Sequence, residues 1–167
     1  LRTVTGVQTC ALPIFDRGLL VGDGVFETLR AYRGVPFAWR RHYERLVHSA
    51  TALGLPVPDS DTLHSAMVEV MQANDLREAR VRVTVTGGEG PPGSGRGAVQ
   101  PVAFIVATPL TPAPATATVV IAPWTRNEHS ATAGLKTISY AANVRALAYA
   151  HERKDRKSTR LNSSHRT

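Results

Sequence analysis

Residues Val25 to Tyr32 alternate in a way that suits a strand, Arg33-Gly34 supplies a turn, and Val35-Pro36-Phe37-Ala38 begins a return, so a hairpin is predicted here. From Arg40 the period changes. Tyr43, Leu46, Val47, Ala50 and Leu53 recur at helical spacing, and Gly54 followed by Pro56 stops the run. Asp59-Ser60-Asp61 predicts the cap of a second helix, whose Leu63, Met67, Val70 and Met71 repeat every three to four positions before Asn74. Ala79 to Thr86 returns to a period of two and reads as a half-buried strand, and Val102 to Ala107 is a short apolar run that predicts a buried one. Between them, Gly87 to Gly97 lacks the Gly-Lys-Ser/Thr ending of a phosphate loop and carries two prolines that remove donors, so it reads as a flexible loop. Past the punctuation at Thr111-Pro112-Ala113-Pro114-Ala115, a strand is predicted over Thr118 to Ala122, a polar loop over Asn127 to Gly134, and a helix from about Tyr140 towards His151. The pattern gives an α/β (α+β) chain: a small N-terminal α/β domain over residues 16–115 and the start of a second domain over residues 116–153.

The two ends do not share this patterning. Residues 4–14 and 155–165 can be written as mutually reverse-complementary codons without a mismatch. The match extends through Thr3 with Arg166, Arg2 with Thr167 and Phe15 with Lys154, and stops at Asp16 with Arg153. Those codons resemble a common sequencing-library adapter. Residues 1–15 and 154–167 are therefore expected to be adapter-derived and not native, with the gene's own sequence running from Asp16 to Arg153.

That division changes how composition is read. The chain has 20 Lys+Arg against 13 Asp+Glu, a formal +7, which alone suggests a nucleic-acid or membrane-surface partner. Arg2, Lys154, Arg156, Lys157, Arg160 and Arg166 oppose only Asp155 in the ends, a net +5, and residues 16–153 keep 14 against 12, or +2. No nucleic-acid partner is expected on that basis. Cys10, the single cysteine, also falls in the first end, which leaves no disulfide and no thiolate ligand and fits a reducing, cytoplasmic setting. No apolar run approaches the ~20 residues of a membrane span, so no membrane partner is expected. His42, His48, His64, His129, His151 and His165 show no paired spacing with carboxylates or cysteines, and no metal site is expected.

Lys136 is the only lysine of residues 16–153, set in Gly134-Leu135-Lys136-Thr137-Ile138-Ser139-Tyr140 ahead of an Ala-rich helix. A lysine in such a place is by default a solvated charge. An amine held beside a partly desolvated core is instead the environment that imine formation with an aldehyde cofactor requires.

The segment around Lys136, the segment Gly22-Asp23-Gly24-Val25-Phe26-Glu27-Thr28, and His42-Tyr43-Glu44-Arg45-Leu46 with Ser49 resemble, in order and spacing, three signatures of the class IV pyridoxal-phosphate enzymes. That family includes branched-chain and D-amino-acid aminotransferases and aminodeoxychorismate lyase. The resemblance covers essentially all of residues 16–153 and implies the class IV aminotransferase fold, pyridoxal 5′-phosphate as cofactor and a homodimeric parent. It implies transfer of an amino group between an amino acid and a 2-oxo acid. The alternative within the family is an aminodeoxychorismate lyase of p-aminobenzoate and folate synthesis. From another class, the chain as given would be a nonfunctional partial domain with unpaired sheet edges.

By the same resemblance Lys136 is the Schiff-base lysine and the acid and base that moves a proton between substrate Cα and cofactor C4′. Arg45 is the arginine that grips the cofactor phosphate, for which a guanidinium fork is suited. Tyr140 lies near the cofactor ring, and Phe26 lines the substrate pocket. Two departures stand out. Several family members bind the substrate carboxylate with the arginine of a Thr-Arg-Gly turn, where this chain reads Thr86-Gly87-Gly88; that role is unassigned, with Arg80 and Arg82 as nearby candidates. Val21 stands where branched-chain enzymes tend to have tyrosine. The acid that pairs with the pyridine nitrogen, and the later phosphate loops, are expected beyond Arg153.

Overall fold

The computed structural model of the protein describes residues 14–116 and 119–153. Apart from Ile14 and Phe15, the two segments read as adapter-derived lie outside the described residues. The element order is α1 (Arg17–Val21), β1 (Gly24–Tyr32), β2 (Val35–Pro36), α2 (Trp39–Ala52), α3 (Ser60–Ala73), β3 (Ala79–Thr86), β4 (Val102–Pro109) and α4 (Ala141–Glu152). By compactness the chain divides in two. Among the described residues, one unit runs to Thr111 and takes back Leu135–Ile138; the other consists of Pro112–Gly134 and Ser139–Arg153. The lysine segment, read from the sequence as part of residues 116–153, thus folds with the first unit.

The first unit is built on a four-stranded antiparallel sheet of order β2-β1-β3-β4. β1 and β3 pair over their whole length, from Gly24 opposite Thr86 to Ala31 opposite Ala79. Arg33 and Gly34 both take positive φ, 52° and 78°, and close the β1–β2 hairpin, a geometry that glycine adopts without steric cost. α2 packs on β1 and α3 on β4, so both helices cover one face of the sheet. That face carries Val25, Leu29 and Ala31 of β1 and Val81, Val83 and Val85 of β3, and meets Leu46 and Ala50 of α2 and Leu63, Met67, Val70 and Met71 of α3. These strand residues are every second position, the period the pleat imposes. Fully burying each large side chain is worth about 1.5–3 kcal/mol. Asp59 caps α3 through a carboxylate that accepts from the Thr62 amide at 2.9 Å.

Three expectations are corrected. Val102 to Ala107 forms a strand, but β4 extends to Pro109, lies at the sheet edge and buries only Ile105, because among the described residues no further strand pairs with its outer side. Val119 to Ala122 is not a strand, and Val119 and Ile121 are exposed; Thr118 lies outside the described residues. β-propensity supplies no ladder partner, and among the described residues none pairs with this stretch. The Gly/Pro-rich loop is not free-hanging. The buried Arg17, which opens α1, donates Nη1 to the carbonyls of Pro91, Gly93 and Gly95, and Nε to Asp23 at 2.9 Å. Arg96 returns from the loop to Asp23 Oδ1 at 2.8 Å and to the carbonyls of Leu53 and Gly54 behind α2. The Arg96 hydrogen bond is the main reason the Asp23 carboxyl sits below the usual aspartate range, with Arg17 adding to it and burial opposing it.

Candidate active site

The lysine segment joins the sheet as a short antiparallel pairing along the edge of β1 that β2 occupies further on. Phe26 N–H donates to the Lys136 carbonyl and Ile138 N–H to the Gly24 carbonyl, both at 3.0 Å, around the pair Val25–Thr137. Gly24 allows the approach: a Cβ there would stand 2.8 Å from Ile138 Cδ1 and 2.8 Å from the Val85 carbonyl oxygen. The Lys136 amide leaves the ladder and donates instead to Ser49 Oγ at 3.1 Å, from a hydroxyl fully buried on α2. Strand and helix together therefore fix the backbone from which the lysine projects.

Lys136 and Phe26 are opposite one another in this pairing, so their side chains leave the same face of the sheet. Lys136 Nζ lies 4.1 Å from the centroid of the Phe26 ring, which is 3 % exposed. Arg82 of β3 brings its Cζ to 3.7 Å from the same centroid, and its Nε donates to Thr84 Oγ1 at 3.2 Å. Both cations are attracted by the ring's quadrupole.

Glu27, one residue on, points to the opposite face and is fully buried against α2. A carboxylate removed from water must be paired. Arg45 Nε and Nη2 grip its two oxygens at 2.5 and 2.7 Å, and His42 Nδ1 stands 2.8 Å from Oε2. His42, Arg45 and Ser49 fall at helical spacings of three and four and form one stripe of α2. The structure thus brings Lys136, Phe26 and Arg45 onto neighbouring pieces of β1 and α2, with the first two on one sheet face and Arg45 behind the other. Tyr140 stands in the second unit as the residue that caps α4.

The sequence reading missed Glu27 as a partner of Arg45. The available signal was an acid at a core-facing position of a strand, which demands a cation nearby. It also gave Arg82 no contact with Phe26, since the two are neighbours only through the β1–β3 register. Among the described residues no group of three or more His, Cys, Asp and Glu could hold a metal ion.

This arrangement has relatives. A protein of Methanocaldococcus jannaschii, provisionally named a branched-chain-amino-acid aminotransferase, is 41% identical over 101 residues, 59% of this chain and 35% of that protein. Among solved structures, a provisionally named 4-amino-4-deoxychorismate lyase from Legionella pneumophila superposes with a TM-score of 0.85 over 97% of this chain and 60% of that one. At 23% identity that likeness speaks for the fold alone. The 4-amino-4-deoxychorismate lyase of Pseudomonas aeruginosa superposes with a TM-score of 0.71 at 29% identity, over 84% of this chain and 53% of that one. The chain spans between about a third and three fifths of the length of these relatives. Residues 24–159 match the family model described as amino-transferase class IV, and with well over half its length inside that match the chain belongs to the class IV aminotransferases.

Proposed function

We propose that this chain is part of a pyridoxal-phosphate-dependent aminotransferase that transfers an amino group between an amino acid and a 2-oxo acid, with Lys136 as its catalytic residue. The observation that carries the reading is the placement of Lys136. The single lysine of residues 16–153 is tied by its own amide and carbonyl to α2 and β1, with Nζ over a buried aromatic ring.

The side-chain chemistry suits the two ends of the cofactor, an amine at Lys136 for the aldehyde and a guanidinium at Arg45 for the phosphate. Lys136 supplies a half-buried primary amine to hold an aldehyde covalently, and the glycine-permitted approach at Gly24 fixes where that amine starts. Arg45 is half-exposed, while the buried Glu27 orients it by two of the five donors a guanidinium carries. An arginine oriented in this way suits a phosphate. When bound, pyridoxal phosphate supplies the electron sink that stabilises negative charge at the substrate Cα. With the group held there, Lys136 Nζ would be the base that takes the substrate's Cα proton and the acid that gives it back. Phe26 presents its ring beneath Nζ as one wall of the substrate pocket, and Tyr140 is read as a neighbour of the cofactor ring. The parent enzyme is read as a cytoplasmic homodimer. No helix among the described residues is long and apolar enough to cross a membrane.

The 29% identical Pseudomonas aeruginosa structure favours a second reading, a lyase that releases p-aminobenzoate. Product analysis on the full-length gene separates a keto acid from p-aminobenzoate. For the chain itself the test is borohydride reduction in the presence of pyridoxal phosphate, followed by peptide mass mapping. The adduct is expected on the Lys136 peptide and absent in Lys136→Ala. Labelling spread over Lys154 and Lys157 with none at Lys136 overturns the assignment and leaves the alternative, a partial domain that does not take the cofactor.

A further inference from the structure

We infer that Ser49 is a positioning residue for the reaction: its buried hydroxyl draws the Lys136 amide out of the sheet and so sets the point from which Nζ reaches an aldehyde. The inference rests on the reading of Lys136 given above and adds to it the side chain that holds the lysine's backbone.

The pairing of the lysine segment with β1 departs from regularity at one atom. Val25 and Thr137 form a non-hydrogen-bonded antiparallel pair, and the residues beside them carry the bonds, Phe26 N–H to the Lys136 carbonyl and Ile138 N–H to the Gly24 carbonyl. A regular ladder would complete the next pair by returning the Lys136 N–H to the Phe26 carbonyl. It goes instead to Ser49 Oγ at 3.1 Å. Lys136 therefore ends the ladder with its carbonyl held by β1 and its N–H held by α2, and its Cα is fixed from both sides.

Ser49 is otherwise out of place. It lies inside α2 with no exposed surface, in the company of the core residues Leu46 and Ala50. Alanine is the better helix former, and a hydroxyl is costly to bury without a hydrogen bond. The partner that the structure gives this hydroxyl is the amide of the one lysine of residues 16–153, 87 positions away. One turn earlier the same helix carries Arg45, the guanidinium read as the phosphate grip, at the spacing that puts two side chains on one stripe. α2 thus serves as a common frame for the anchor of the amine and for the guanidinium.

A lysine's four-carbon stem is flexible, so the reach of Nζ depends on where Cα is held. Here Nζ lies 4.1 Å from the centroid of the Phe26 ring. A displacement of about 1 Å in a reacting group costs up to about a hundredfold in rate. Without Ser49 Oγ the Lys136 N–H has no acceptor on α2, and Cα loses one of its two holds.

The test uses the whole chain under folding conditions. With pyridoxal phosphate present, Nζ adds to the aldehyde carbon, water leaves, and borohydride delivers hydride to give a secondary amine. Peptide mapping then gives the ratio of label at Lys136 to label at Lys154 and Lys157, the other two lysines. Ser49→Ala should lower that ratio about tenfold, the size of one hydrogen bond. Val70→Ala, a truncation in the core face of α3, is the control for lost stability and should leave the ratio as it is. A second readout needs no cofactor: relative to the Ile138 amide, hydrogen exchange at the Lys136 amide should quicken about tenfold in Ser49→Ala and not in Val70→Ala. If Ser49→Ala fails to fold, Ser49→Cys decides, since it keeps the size and weakens the acceptor; a lowered ratio supports the inference and an undiminished one overturns it. A fall of equal size in Val70→Ala, or unchanged exchange at Lys136 in Ser49→Ala, also overturns it. Lys136 labelled alike in the parent chain and in Ser49→Ala sinks this inference alone, and Lys136 unlabelled in the parent chain sinks the reading beneath it.

Discussion

The two compact units bury very different amounts of themselves. In the first, a sheet and two helices enclose a continuous apolar core in which Leu46, Leu63, Met67 and the valines of β3 are almost wholly removed from water. Its buried Glu27 is satisfied by Arg45 and His42, and its loop carbonyls by Arg17 and Arg96. In the second unit, among the described residues, Ala150 is the buried apolar side chain, while Val119, Ile121, Val144 and Leu147 are exposed. There Asn143 Nδ2 is buried without a hydrogen-bond partner. Trp124 and Tyr149 meet edge to face at 5.1 Å, yet one such pair is worth only about 0.5–1.5 kcal/mol beyond area burial. Secondary structure alone does not make a stable unit; enclosed apolar area and satisfied polar groups do.

The contrast can be broken most sharply at the buried ion pair. Arg45→Ala leaves the Glu27 carboxylate in the core without its main partner and should cost about 3–5 kcal/mol, read as a fall in the urea midpoint. A loss below 1 kcal/mol would mean that Glu27 is less enclosed than the geometry shows. Matched leucine truncations compare the units directly. Leu63→Ala, at a fully buried position of α3, should cost about 3 kcal/mol, whereas Leu147→Ala, 42% exposed on α4, should change stability by under about 0.5 kcal/mol. Equal costs would erase the distinction between the units.

The smallest effect concerns pH. The folded state holds Asp23 below the usual aspartate range, so the stability it contributes is present above that range and is lost as pH falls through the lowered folded value. Amide exchange in the loop around Gly93 and Gly95 should therefore rise on acidification in this chain and be insensitive to the same change in Asp23→Asn. An identical acid profile in both would show that the Asp23 clasp does not hold the loop.

How much of this was legible depends on how far apart the interacting residues lie. β3 runs over the eight residues that its period of two marked out, and α2 and α3 begin and end within about a residue of their sequence limits. Those signals are local: apolar spacing, a cap at Asp59 and stops at Gly54 and Pro56. The short α1 was not read, because five residues are too few for a periodic pattern. The expected strand over Thr118 to Ala122 failed for the opposite reason: its composition suited a strand, but pairing is a property of two segments. For the candidate site, the motifs marked Lys136, Arg45 and Phe26, and the structure sets all three around β1 and α2. Glu27 under Arg45, Ser49 under the Lys136 amide, and Arg82 on the Phe26 ring are contacts across 18, 87 and 56 positions of chain.

By itself, then, the sequence determined α2, α3, α4, β1 and β3, the small net charge of residues 16–153, and Lys136 as the amine on which any aldehyde chemistry would rest. Each follows from composition or from side chains a few positions apart, where backbone geometry leaves few choices. Only the tertiary structure decided that Lys136 shares a sheet face with Arg82 while Arg45 faces the other way into Glu27. The pleat sends successive residues of β1 to opposite faces, and which charges they meet there is fixed by the register between strands distant in the chain.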